Sequence, residues 1–244
     1  MVPTTNFTNM KLPTIHGFID RRILINFIAD PKDVEKILPA PFRPKVYKDK
    51  AIVGICLIRL KNIKPKGLPN FIGISSENGA HRIAVEWDED GQVKEGVFIP
   101  RRDTSLRLNT IVGGRLFPGK HYLAKFNVIE TKENYHIDFT SSDETQISID
   151  AREVKTFDTN SVFETLENVS DFFEKGEVGY SPNGKKFDGL KLEVYNWKVK
   201  PLEVSNVKSS FFENETVFPK GSVKFDNALL MTKVEHEWHS MADK

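Results

Sequence analysis

Between Gly96 and His121 the chain carries Arg101, Arg102, Asp103, Arg107, Arg115 and Lys120, a density of charge that an ordinary surface loop does not need. Guanidinium groups offer planar donor forks that match a carboxylate or phosphate in a bidentate way. The stretch therefore reads as one wall of a pocket for the anionic group of a small molecule. A structural reading stands beside it: Asp103 caps a short helix over Thr104–Gly113, and the arginines pair with Glu77, Glu86 or Glu95 across a sheet. Ion-pair networks of that kind commonly mimic sites.

Other chemistries find little purchase. Lys and Arg total 35 against 34 Asp and Glu, a formal net charge of +1. No global field holds the chain on nucleic acid or on an anionic membrane, so neither is expected as a partner. His81, His121 and His136 lack metal-ligand spacing, and His236-Glu-Trp-His239 is not the helical zinc pair, which needs its histidines four apart. Gly113-Gly114 is too little for a phosphate cradle, and neither a P-loop nor a dinucleotide fingerprint occurs; no metal and no cofactor are expected. The one cysteine, Cys56, lies in the apolar run Ile52–Ile58 and reads as an inert core residue in a reducing compartment. The chain has no apolar run of signal-peptide or membrane-spanning length, and the reading is a cytoplasmic, soluble protein.

The elements that must position the charged stretch are mostly strands. Arg22–Ala29 is apolar and β-branched, and Asp30-Pro31 then supplies a cap and a first-turn proline for a short helix through Leu38. Ala51–Leu60 reads as a strand buried on both faces. His81–Trp87 and Gln92–Ile99 flank an Asp90-Gly91 hairpin turn, and a second hairpin joins Leu123–Thr131 to Tyr135–Thr140. Strands are also predicted at Ile147–Lys155, Leu190–Val199, Val207–Phe212 and Ala228–Glu235, with turns at Asn183-Gly184 and Asp188-Gly189. Ser161-Val-Phe-Glu164 has capping-box spacing ahead of Phe163, Leu166, Val169, Phe172 and Phe173, which predicts a helix ending before Gly176. No repeat or linker interrupts residues 1–244, which are read as a single α+β domain, mostly antiparallel β.

Leu24–Pro31 with the helix to the Pro39-Ala-Pro41 pair, Ser76-Glu77-Asn78-Gly79 and Pro118-Gly119-Lys120 resemble the corresponding segments of the acetoacetate decarboxylase-like superfamily. The arginine-rich stretch, Gly179-Tyr180-Ser181, Ser209–Phe212 and His236-Glu237-Trp238 resemble more closely a bacterial branch of it that has no assigned function. The resemblance implies a conical barrel with a few helices, a partly apolar cavity, and a small organic acid, a keto acid above all, as its ligand or substrate. It is compatible with a homo-oligomer. In an enzyme of this kind Lys120 would be a Schiff-base nucleophile for a lyase or decarboxylase, Glu77 would handle the proton, Arg115 or His121 would supply the activating cation, and an arginine would anchor the carboxylate. The sequence departs from the decarboxylases in having Gly119-Lys120-His121 where they carry two adjacent lysines. A binding protein would keep Arg101, Arg102, Arg107 and Arg115 and need no reactive lysine; a partner-binding module of the same fold is the third reading.

Overall fold

The computed structural model describes residues 13–111, 119–241 and 244. A five-strand wall organises them. It runs β13 (Lys224–Ser240), β1 (Ile15–Ala29), β4 (Lys50–Pro65), β5 (Ile74–Glu89) and β6 (Gln92–Thr104), each antiparallel to the next. Both outer strands of this wall share their free edge between two partners. On β6, Arg102–Thr104 pair with β7 (His121–Glu130), while Val97 and Phe98 pair with β10 (Val178–Asn183), both in parallel. On β13, residues 228–230 pair with β12 (Lys200–Ser209), and residues 236–240 pair with β11 (Lys186–Val194).

Two closed rings result, with the wall in common. One closes through β7, β8 (Asn134–Ser141), β9 (Gln146–Glu153) and β12; the other through the β10–β11 hairpin. Closure leaves few unpaired strand edges, the usual liability of a sheet this large. Two short strands, β2 (Arg43–Pro44) and β3 (Val46–Tyr47), add to β5 and β4.

Successive residues of a strand face opposite sides, so the wall presents a different surface to each ring. Toward the β7–β12 ring it turns Ile23, Ile25, Val53, Ile55, Leu57, Ile83 and Val85, which pack with Ile137, Phe139, Ile149, Phe212 and Phe218 into a dry core. Toward the β10–β11 ring it turns Leu24, Ile52, Cys56 and Ala84, covered by α3 (Leu166–Glu174) through Val169, Phe172 and Phe173.

The helices differ from expectation in instructive ways. Asp30 caps α1 (Pro31–Glu35) as predicted, accepting from the Lys32 amide at 2.8 Å, although the helix stops short of Leu38. The predicted capping box does not form. Ser161 Oγ instead donates to Asp226 at 2.6 Å, Glu164 takes a left-handed φ of 63°, and α3 starts after Thr165, whose side chain accepts from Asn168 N. Asp103 caps no helix; it lies within β6, and α2 covers only Arg107–Ile111. Asp188-Gly189 lies inside β11 rather than in a turn. Among the described residues no helix is long and apolar enough to cross a membrane.

Candidate functional site

The wall face toward the β10–β11 ring encloses a cavity of about 130 Å³. One water needs roughly 10–15 Å³ by this measure, so the space suits an acid of about ten non-hydrogen atoms or fewer. Its apolar surface comes from Leu24, Ile58, Val97, Ile99, Phe173 and Trp238, and its cationic surface from Arg22, Arg82 and Arg102.

Cross-strand register explains why these arginines share a face. Arg22 on β1 lies opposite Ile58 on β4, itself opposite Asn78 on β5; Leu24, Cys56, Ala80 and Arg102 form the next row across β1, β4, β5 and β6. On β6 a β-bulge decides which arginine enters. His81 pairs with Arg101 but Ile83 pairs with Phe98, so one residue on β5 faces two on β6, Ile99 and Pro100. The extra residue reverses the alternation, and Arg102 joins Val97 and Ile99 on the cavity face while Arg101 turns away. Proline, which has no N–H to offer the ladder, suits such a place.

Among the described residues, none of the three cavity arginines has a carboxylate within ion-pair distance. Arg22 donates from Nε to Cys56 Sγ at 3.3 Å and from Nη1 to Met231 Sδ at 4.0 Å, both weak acceptors. Arg82 is 4% exposed; its Nη2 donates to Asn26 Oδ1, its guanidinium carbon lies 4.3 Å from the Phe173 ring centroid, and its Nε has no partner. Burial pushes Arg82 down to about 9. Gly54 makes the berth, since a Cβ there would meet Ile25 O at 2.4 Å and Arg82 Nη2 at 3.3 Å. Arg102 donates from Nε to Ser181 Oγ at 3.1 Å, and burial pushes it down to about 10 despite the nearby Asp188. The two carboxylates on the lining, Asp103 and Glu177, are committed to Arg101 and Lys191. Unpaired buried cations are costly. Arg82 is buried and Arg22 and Arg102 are half-buried, and three such guanidiniums around one cavity have the chemistry to answer an anion.

A wider hollow of about 500 Å³ adjoins the cavity, with Ile99, Arg102 and His121 lining both. Lys120, Tyr122 and Ser181 line the outer hollow. His121 Nδ1 lies 3.2 Å from the Gly119 carbonyl, to which it must donate, and burial together with Arg102 holds the imidazole down to about 4. His121 is therefore a neutral group at neutral pH rather than an activating cation. Lys120 is exposed, its Nζ 4.6 Å from the Tyr122 ring centroid, and it does not line the inner cavity. Among the described residues no lysine does.

The structure does not bring the remaining predicted residues to this cavity. Glu77 lies on the other face of β5, bonded to Arg21 Nη2 at 2.5 Å and to Arg59 Nε, within a cluster that also contains Glu130. Arg101 makes two bonds each to Asp103 and Asp143 and stacks on Tyr122, so its charge is already answered. Arg107 is exposed on α2 and lines a separate shallow hollow. Arg115 lies outside the described residues. The pairing partners Glu86 and Glu95 belong to Arg43 and Lys45. Sequence reasoning missed Arg22, Arg82 and Cys56; the available signal was an arginine inside an apolar strand, a residue almost never buried without a reason. Among the described residues no group of three potential metal ligands occurs.

The family model of DUF2071, described as an uncharacterized conserved protein, matches residues 19–234. No curated protein matches the chain. Among solved structures, the acetoacetate decarboxylase of Legionella pneumophila is similar with a TM-score of 0.58 at 14% identity, covering 99% of this chain and 93% of that one. An acetoacetate decarboxylase-like enzyme from Sphingomonas wittichii RW1 gives 0.59 at 8% identity, covering 99% and 98%. The enduracididine biosynthesis enzyme MppR, complexed with pyruvate, gives 0.56 at 8% identity, covering 99% and 93%. At these identities the likeness is one of fold.

Proposed function

The chain belongs to the DUF2071 family and has the acetoacetate decarboxylase-like fold, and on that premise we propose that it binds a small organic acid, of the keto-acid class, in the cavity of the β10–β11 ring. The observation that carries this reading is the set of three arginines, Arg22, Arg82 and Arg102, around one small cavity without a carboxylate partner among the described residues. A carboxylate entering past Arg102 and His121 supplies the missing charge, and its carbon skeleton lies against Val97, Ile99, Phe173 and Trp238. The pyruvate held by MppR, a protein of the same fold, supports the choice of ligand class.

Of the four arginines expected to hold an anion, Arg101, Arg102, Arg107 and Arg115, this reading keeps Arg102, does not use Arg101 or Arg107, and adds Arg22 and Arg82. Covalent catalysis by Lys120 with Glu77 is not favoured, because one side chain is exposed in the outer hollow and the other is ion-paired on the far side of the wall.

The test is thermal unfolding with mono- and dicarboxylates and their 2-oxo analogues. A ligand at 100 times its Kd adds about 2.7 kcal/mol, which raises Tm by roughly 5–10 °C in a chain of this size. Arg102→Gln should remove that shift. If no acid moves the Tm of the wild-type protein, the pocket reading fails.

A further inference from the structure

Cys56 was expected to be inert core, yet its side chain is part of the cavity lining. It is 7% exposed, carries no disulfide, and accepts from Arg22 Nε at 3.3 Å. It lies in the cross-strand row Leu24–Cys56–Ala80–Arg102 and shares the cavity lining with Arg22, Arg82 and Arg102. Arg82, nine-tenths buried and with its Nε unpartnered on the same lining, marks independently that an anion belongs here. In the row Cys56–Ala80–Arg102 the intervening residue is an alanine. Two strand spacings, about 9.5 Å between backbones, then separate the thiol from the guanidinium stem, with no bulky side chain between them.

We infer that Cys56 is a covalent-capture site for anionic electrophiles, with the carbonyl carbon of a 2-oxo acid as the group it takes. The inference rests on the acid-binding reading above. With the carboxylate on the arginines, Sγ adds to the adjacent carbonyl carbon: a C–S bond forms, the C=O π pair moves to oxygen, and the thiol proton ends on that oxygen. The product is a thiohemiketal. No electron is gained or lost, no co-reactant is needed, and the step reverses by the same path.

The experiment compares alkylation of the full chain by iodoacetate, an anion, and by iodoacetamide, its neutral counterpart, with glutathione as the reference thiol and the modified peptide identified by mass. Arginines that concentrate anions at the sulfur should raise the iodoacetate-to-iodoacetamide rate ratio at Cys56 to at least about tenfold above that of glutathione. Arg102→Gln should bring it back toward the reference, and pyruvate should protect the thiol. With pyruvate labelled with carbon-13 at its carbonyl, the wild-type protein should show a new tetrahedral-carbon resonance that Cys56→Ser lacks. A rate ratio equal to that of glutathione, or the same resonance in Cys56→Ser, overturns the inference. If acids still raise the Tm of both proteins, the pocket reading survives that failure; if they raise neither, the pocket itself is wrong.

Discussion

Arg82 and Arg101 are two buried arginines on adjacent strands, 4% and 8% exposed, yet their truncation should move stability in opposite directions. Arg82 has no carboxylate partner among the described residues, and its fall from 12.5 to about 9 corresponds to on the order of 5 kcal/mol of interaction lost to burial. Arg82→Met removes that cost. It also gives up the bond to Asn26, worth roughly 1.5–3 kcal/mol, and the stacking on Phe173, worth about 1–2 kcal/mol. The net expectation is neutral to about 2 kcal/mol more stable, in line with replacement of buried ions by apolar groups elsewhere. Arg101→Met removes the cation that answers Asp103, which is 0% exposed and among the described residues keeps only Ser141 as a side-chain donor. Breaking such a pair costs about 3–5 kcal/mol. Urea unfolding of both variants without ligand, followed by a thermal shift with the best acid, measures all of this. Arg82→Met should keep or gain stability and lose the ligand-induced shift. A loss of more than about 2 kcal/mol in Arg82→Met would mean that the guanidinium is adequately solvated by its neighbours, and the argument for an unmet anion site would fall.

Acid should destabilise the protein early. Burial holds His81 at about 3, and His121 and His236 at about 4, against 6.5 in the unfolded chain. Stability is then full above about pH 6.5 and declines as pH falls toward 4, by up to about 4 kcal/mol per pH unit if all three titrate together. The half-buried His136, raised by Asp150, acts the other way and weakly, its contribution being lost as pH rises. Unfolding midpoints that stay flat from pH 7 to 5 would contradict the buried histidines. Lys120→Ala should keep the acid-induced Tm shift, and borohydride with pyruvate should leave no adduct on Lys120; an adduct there would restore the Schiff-base reading. Glu77→Gln should cost about 1–3 kcal/mol by weakening the Arg21–Arg59–Glu130 cluster, as read by urea unfolding, while ligand affinity measured by titration stays within about twofold of wild type.

Strand-forming runs, the Asp90-Gly91 hairpin and the Asp30-Pro31 helix start were legible because they depend on neighbours in sequence: alternation, β-branching and turn chemistry act over a few residues. The suitability of arginine for holding an anion was legible too, since few side chains can meet a carboxylate in two places. Which arginines was not. Arg21 and Arg22, His81 and Arg82, Arg101 and Arg102 are adjacent pairs, and a strand sends the two members of each pair to opposite faces. On β6 the bulge at Ile99–Pro100 shifts that alternation by one residue, so counting from Val97 alone would have put Arg101 in the cavity. Arg101 then finds Asp143, 42 positions away, and Glu77 finds Arg21, 56 positions away, contacts that exist only once the rings close. Cys56 looked like core for the same reason: its strand is apolar on both sides, and only the closure of β10 and β11 over one face leaves a space beside its sulfur. Composition and local pattern thus determined the strands and the kind of chemistry, whereas the sorting of charges into paired and unpaired was decided by register, bulge and ring closure, which are properties of distant segments meeting.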